Sequence, residues 1–139
     1  MDFGMTPRGR DYLQRTKAFM SEHIEPVEAA FWEEARAHTA NGDWRQWKVP
    51  AVLEELKAMA RAQDLWNMWI PDDRLGQGLS IADYAYIAEQ TGRSLIAPTV
   101  FNCNAPDTGN MEVIWRYGSE EQKQQWLMPL LAGERSEEH

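Results

Sequence analysis

The sequence predicts an all-α domain, a compact bundle of about five to six helices. Three observations carry that prediction. Apolar residues recur at steps of three and four along nearly the whole chain. No segment of strand length alternates apolar and polar residues convincingly. The breakers Pro, Gly and Asn fall between the apolar stripes at short intervals, so the connections are short and no linker, repeat or low-complexity segment interrupts them. With 139 residues, 43% apolar and 26% charged, the chain has the size and composition of one folded domain with a real core.

Each element follows from a local pattern. Tyr12, Thr16, Phe19, Ile24 and Val27, with Met20 beside them, predict an amphipathic helix from about Pro7 to Glu25. Pro26 lacks an amide hydrogen and is expected to open a new helix, which runs through good helix formers to His38. Asn41-Gly42-Asp43 is a turn signal. Pro50 marks a further start, followed by the stripe Val52, Leu53, Leu56, Met59 and Ala60. Leu65 to Pro71 reads as buried and mostly non-helical, and Asp72 to Gly78 as loop. Ser80 with Asp83 is a variant of the capping box, and Ile81, Tyr84, Ala85 and Ala88 form the expected buried face up to Gly92.

The later elements are shorter. Leu95 to Phe101 predicts a turn or two of helix around Pro98. Asp107 or Thr108 is placed to cap the next helix, with Met111, Ile114 and Trp115 inward and Gly118 at its end. Ser119-Glu120-Glu121-Gln122 is a strong capping box. Trp126, Leu127, Leu130 and Leu131 then mark a packed face, with Pro129 expected to kink or end the helix and Gly133 to close it.

Charge and composition exclude several functions. Fourteen basic against 22 acidic residues give a net charge of -8, with no basic face for nucleic acid or for an anionic membrane surface. No window approaches the length of apolar residues that spans a bilayer. A single cysteine, Cys103, forbids an intrachain disulfide and fits a reducing compartment, and neither end carries a recognisable address; the expectation is a cytoplasmic protein. His23, His38 and His139 stand apart, and no cluster has metal-ligand spacing. Gly76-Gln77-Gly78 lacks the further glycine of a dinucleotide fingerprint and the Lys-Ser/Thr of a P-loop, so it reads as a turn.

Three features stay open between structure and function. Trp44/Trp47 and Trp66/Trp69 are spaced to share a face, as core anchors or as an apolar slot or docking patch. Cys103 is a small buried hydrophobe or a thiol of some use. The run Asn102 to Met111 sets small, polar and breaker residues between two apolar helices; local physics favours an elaborate helix cap, and the competing reading is a pocket wall.

Several runs resemble a known family. Val52-Leu53-Glu54-Glu55-Leu56-Lys57, Leu65-Trp66-Asn67-Met68-Trp69-Ile70-Pro71 and Tyr84 through Ser94 look like the N-terminal helical domain of acyl-CoA dehydrogenases. The closest matches are Ala105-Pro106-Asp107-Thr108-Gly109-Asn110-Met111-Glu112 and Tyr117-Gly118-Ser119-Glu120-Glu121-Gln122-Lys123, the latter leading into Trp126 to Glu134. The resemblance covers residues 6 to 134, is specific from residue 51 onward, and is closest to the branch acting on long or unusual acyl chains. It implies one helical domain over residues 1–134 with a short polar tail at 135–139.

The family resemblance also implies a function. Its enzymes are flavoproteins in which FAD and an acyl-CoA thioester meet between a helical N-terminal domain, a middle β-domain and a C-terminal bundle. A glutamate takes the α-proton while the β-hydride passes to the flavin, giving a trans-2-enoyl-CoA. The N-terminal domain supplies a wall of the acyl cavity. Carried over, Cys103, Asn104, Asp107, Thr108 and Met111 line that wall, with Tyr84 and Ile87 from the preceding helix; none is expected to transfer a proton or hydride. The sequence has no counterpart of the middle domain's flavin strands or of the catalytic glutamate, so the expectation is that the chain alone binds no FAD and turns over no substrate. It is expected to need the missing domains, or a chain supplying them, and to self-associate through the faces they would cover. The alternative is a non-enzymatic helical module that docks a separate flavin-carrying chain.

Overall fold

The computed structural model describes residues 3–134; the predicted polar tail at 135–139 lies outside them. Its elements are α1 (Pro7–Phe19), a π segment (Met20–Ile24), α2 (Glu25–Thr39), a 3-10 turn (Trp44–Gln46), α3 (Val52–Ala62), α4 (Ile81–Thr91), α5 (Ala97–Val100), α6 (Asp107–Tyr117), α7 (Glu120–Gln122), a second π segment (Lys123–Leu127) and α8 (Met128–Leu131). The two π segments join their flanking helices, so the bundle has six helical rods; no strand occurs among the described residues.

The two prolines behave alike, and neither ends its rod. Pro26 does not open a separate helix: residues 7–39 run as one rod. Pro129 does not end its helix either. In each case a five-residue π segment stops two residues before the proline. Glu25 donates its amide to the Met20 carbonyl, and Met128 donates to Lys123, each five residues back. A proline in a helix interior removes one donor and crowds the carbonyl four residues earlier. The wider π turn absorbs both effects without breaking the rod.

One core cluster gathers α1, α2, α3, α4 and α5 around Phe19, Ile24, Leu56, Leu65, Met68, Ile87, Val100 and Phe101. Phe19 meets Phe101 edge to face, with ring centroids 5.4 Å apart. Each such fully buried side chain contributes about 1.5–3 kcal/mol of apolar burial. A second cluster joins Trp69, Ile70 and Met111 to Leu127, Leu130 and Leu131 of the C-terminal rod. The Leu65–Pro71 run contributes to both clusters and is non-helical, buried from Leu65 to Ile70 as its sequence predicts and exposed at Pro71.

A buried polar joint ties these clusters together. Asn67 and Asn102 both adopt left-handed backbone, each with φ of 53°. Asn102 donates one amide hydrogen to Asn67 Oδ1 at 2.7 Å and the other to the Leu130 carbonyl at 2.9 Å. Asn67 Nδ2 and Trp66 Nε1 both donate to the Leu131 carbonyl. The terminal turn then closes on Gly133, whose φ is 68° and where a Cβ would stand 2.6 Å from the Trp66 ring. Only glycine satisfies both conditions there.

The caps correct the reading of two helices. Ser80 Oγ accepts from the Asp83 amide, as the capping pattern predicts. The buried face of α4, however, is Asp83, Ile87 and Thr91, while Ile81 and Ala85 are exposed. Asp83 turns inward because α1 packs on α4 there. Its carboxylate accepts from the Thr6 amide and the Thr6 hydroxyl, both at 2.8 Å, and from the Ser80 hydroxyl. A Cβ at Gly9 would stand 2.1 Å from Asp83 Oδ1, so the contact requires glycine on α1. Burial pushes the Asp83 carboxyl up, but the Thr6 and Ser80 hydrogen bonds outweigh it and hold it below its ordinary value.

On α6, Pro106 stands at the cap position with no side-chain hydrogen bond, so neither Asp107 nor Thr108 caps the helix. Ser119 and Gln122 form the full reciprocal capping box ahead of α7. Leu127, Leu130 and Leu131 are buried as expected, but Trp126 is on the exposed side. The tryptophan pairs divide: Trp66 and Trp69 are core, whereas Trp44 and Trp47 are 67% and 54% exposed. Met59 also faces outward, at the edge of an otherwise buried α3 stripe.

Candidate functional site

The joint between α5 and α6 runs through Asn102, Cys103, Asn104 and a cis Ala105–Pro106 peptide. Its conformation is held from both sides. The Cys103 amide returns to the Pro98 carbonyl at 2.8 Å, and the Thr108 amide reaches Asn104 O at 3.1 Å. The Asn102 bonds described above fix its outer end. Cys103 and Thr108 are thereby presented on one side of the joint.

That side forms an open depression of about 250 Å³ lined by Trp69, Ile81, Tyr84, Cys103, Thr108, Gly109 and Glu112. The structure thus brings Tyr84, Cys103 and Thr108 together. The four other residues proposed from the family resemblance sit behind them. Ile87 and Met111 are fully buried in the two core clusters. Asn104 and Asp107 are buried as well, with Asn104 Nδ2 3.4 Å from Asp107 Oδ2.

Two lining residues, Ile81 and Glu112, lay outside every site reading of the sequence, whereas Trp69 stood in the Trp66/Trp69 pair open as an apolar slot and Gly109 in the Asn102–Met111 run open as a pocket wall. Ile81 lies one turn before Tyr84 on α4. Glu112 follows Thr108 by four residues and Gly109 by three on α6, so it neighbours both along the helix surface. Helical spacing from Tyr84 and Thr108 was the available signal. Trp69 comes from the irregular run after α3.

The depression is weakly polar. The Tyr84 hydroxyl adjoins the Cys103 thiol, which donates to the Phe101 carbonyl at 3.2 Å. Burial raises the Tyr84 hydroxyl far above its ordinary value, and the adjacent Cys103 adds to it. Burial likewise pushes the Cys103 thiol up to about 11, offset in part by hydrogen bonds from the Trp69 amide and Tyr84. Both groups are neutral at physiological pH, so Cys103 is no ready nucleophile. Trp69 Nε1 is buried with no hydrogen-bond partner among the described residues. Glu112 is paired with Arg116 at 2.8 Å, which leaves it as a rim charge.

Such a surface can hold an apolar chain against a few hydrogen-bonding groups. It has no acid–base pair at its centre. It does not fit a flavin dinucleotide: about 250 Å³ is too small a space, and its lining among the described residues includes no Lys or Arg for a pyrophosphate. Gly76-Gln77-Gly78 offers no cradle either, since Gly76 packs against Asn67 O and Ile70 of the chain itself. No group of three or more potential metal ligands occurs among the described residues. No described helix is long and apolar enough to cross a membrane.

A larger apolar groove, about 420 Å³, lies across the molecule between α2, α3 and α5, lined by Phe31, Trp32, Trp47, Leu53 and Leu95 among others. None of the residues proposed from the family resemblance lines it.

Comparison with known proteins bears on which surface matters. The family described as "Acyl-CoA dehydrogenase, N-terminal domain" matches residues 6–134. The chain is 51% identical over 133 residues to acyl-CoA dehydrogenase family member 11 of Rattus norvegicus, covering 95% of this chain and 16% of that protein. It is 49% identical over 131 residues to the Homo sapiens member 11, covering 94% of this chain and 16% of that protein. Against family member 10 of Mus musculus it is 40% identical over 135 residues, covering 94% and 12%. A solved structure described as "Structure of a putative acyl-CoA dehydrogenase from Mycobacterium abscessus" superposes with a TM-score of 0.85 at 48% identity, over 94% of this chain and 33% of that one. The chain therefore spans about a sixth of the member 11 relatives. The match runs through every described rod, the α5–α6 joint included, and the chain belongs to the acyl-CoA dehydrogenase family as a bearer of its N-terminal helical domain.

Proposed function

We propose that this domain contributes one wall of the acyl-binding site in a cytoplasmic, FAD-dependent acyl-CoA dehydrogenase that converts acyl-CoA to trans-2-enoyl-CoA, in the branch that takes long or unusual acyl chains. The observation that carries the reading is the meeting of Tyr84, Cys103 and Thr108 on one depression at the α5–α6 joint. Ile87, Asn104, Asp107 and Met111 back that wall and fix its shape. The free Cys103 thiol fits a reducing compartment.

The wall's work is binding and exclusion of water. An acyl chain laid along Trp69, Ile81 and Tyr84 leaves water at about 0.8 kcal/mol per buried methylene. Removing water around a thioester strengthens every electrostatic interaction made there. The flavin and the base act from elements outside this domain, and no proton passes through the described residues. On this reading the 139-residue chain alone neither holds the flavin nor turns over substrate.

The test is a transplant. The rat member 11 protein, with its matching segment replaced by this chain, is assayed for flavin content and acyl-CoA-dependent dye reduction. Turnover with a long-chain acyl-CoA supports the reading. A soluble, flavin-loaded chimera with no turnover, whose parent is active in the same assay, contradicts it.

The exposed Val113, Tyr117 and Met128 favour a second reading, in which the domain is a helical module docking a separate flavin-carrying chain or a second copy of itself. Sedimentation across a concentration series checks this; a strictly monomeric species opposes sticky docking faces.

A further inference from the structure

Gly109 is the one residue lining the depression that has no side chain, and it lies within the first turn of α6. Glycine in a helix weakens it relative to alanine. Two needs ordinarily justify that loss, and neither is present. The first is a backbone conformation closed to other residues, but Gly109 is not among the positive-φ positions. The second is close packing, which decides Gly9 and Gly133. At Gly109 a Cβ would meet nothing within 4 Å. Glycine there serves neither the fold of α6 nor the packing of the described residues. What its missing side chain leaves open is space at the depression that Gly109 lines with Tyr84, Cys103, Thr108 and Glu112.

We infer that Gly109 is a specificity-determining residue of this site, leaving room for the widest part of the bound acyl chain: a methyl branch or a substituent of similar bulk. The inference rests on the acyl-wall reading above. A linear chain lies along Trp69, Ile81 and Tyr84 without needing the space at Gly109, whereas a branched chain fills it. A single methyl on residue 109 then competes with the branch and not with the linear chain.

The experiment compares the 15N-labelled wild-type chain with Gly109→Ala by NMR titration. The probes are a linear long-chain acyl-CoA and its methyl-branched counterpart of equal length. Thermal unfolding of both proteins is recorded alongside. The expected result is a thermal midpoint for Gly109→Ala equal to or above wild type, which shows that the fold does not need the glycine. With it, affinity for the branched probe falls about tenfold, the scale set by one methyl group in an apolar pocket. Affinity for the linear probe stays within about twofold. Equal affinities for both probes in the two proteins, or an equal loss for both, overturn this inference and leave the acyl-wall reading standing. A wild-type chain whose amides at residues 101–112 shift with neither probe overturns the two together. Gly109→Leu extends the test: its longer side chain is expected to abolish branched binding and weaken linear binding.

Discussion

Replacing Asn102 with alanine tests the joint on which the site is built. Asn102 is buried, and its amide group gives both hydrogens, to Asn67 Oδ1 at 2.7 Å and to Leu130 O at 2.9 Å. Truncation strands the Asn67 Oδ1 acceptor and takes one of two donors from the Leu130 carbonyl, which keeps the Gly133 amide, at roughly 1–1.5 kcal/mol for each lost bond. Alanine must also hold φ at 53°, which adds about 1 kcal/mol that asparagine largely escapes. The expected loss is roughly 3–4 kcal/mol, or on the order of 10 °C in thermal midpoint. Asn102→Gly loses the same hydrogen bonds without the backbone strain and is expected to cost about 1 kcal/mol less. Urea unfolding of both variants, and of Asn67→Ala alone and combined with Asn102→Ala, measures these differences. The pair is expected to couple by at least about 1 kcal/mol. An Asn102→Ala cost below about 1 kcal/mol, or equal costs for alanine and glycine, refutes the reasoning.

Three further outcomes follow from the packing and electrostatics. Gly9→Ala sets a methyl into the Asp83 carboxylate and is expected to cost about 1–3 kcal/mol by chemical denaturation. Asp83 has its folded value depressed, so the stability it contributes is present above its unfolded value near 4 and is lost as pH falls through the lower folded value. Asp83→Asn is therefore expected to be less stable by roughly 2–3 kcal/mol at neutral pH, with the gap to wild type closing under acid in a pH series of unfolding midpoints. Cys103, with its thiol near 11, is expected to alkylate with iodoacetamide at pH 8 on the order of a hundredfold more slowly than a free cysteine; unfolding in urea restores the ordinary rate.

The fold was legible wherever one local rule acted alone. The stripe Tyr12–Thr16–Phe19 and the box Ser119–Gln122 needed nothing beyond helix geometry, and both stand as read. Pro26 was misread because local rules treat proline as an interruption, whereas its rod continues through a π segment; Pro129, expected to kink or end its helix, likewise follows a π segment and does not end it. The face of α4 was misread because Ile81 outranks Asp83 in hydrophobicity. What turns Asp83 inward is Thr6, 77 residues away, which no local window contains. The site shows the same division. Tyr84, Cys103 and Thr108 came from the family resemblance, not from periodicity. Gly109 was in the matched run without a role, because an empty position gives no chemical signal until the space beside it is seen.

The central claim is that an acyl chain lies against the depression at the α5–α6 joint and not in the larger groove between α2, α3 and α5. Photolabelling decides between them most directly. A long-chain acyl-CoA carrying a diazirine near the chain terminus is irradiated with the protein, and the adducts are mapped by peptide mass spectrometry. Adducts on Trp69, Tyr84 and residues 103–112, competed by unlabelled acyl-CoA, are the predicted result. Competed adducts confined to Phe31, Trp32, Trp47 or Leu95 would contradict the account.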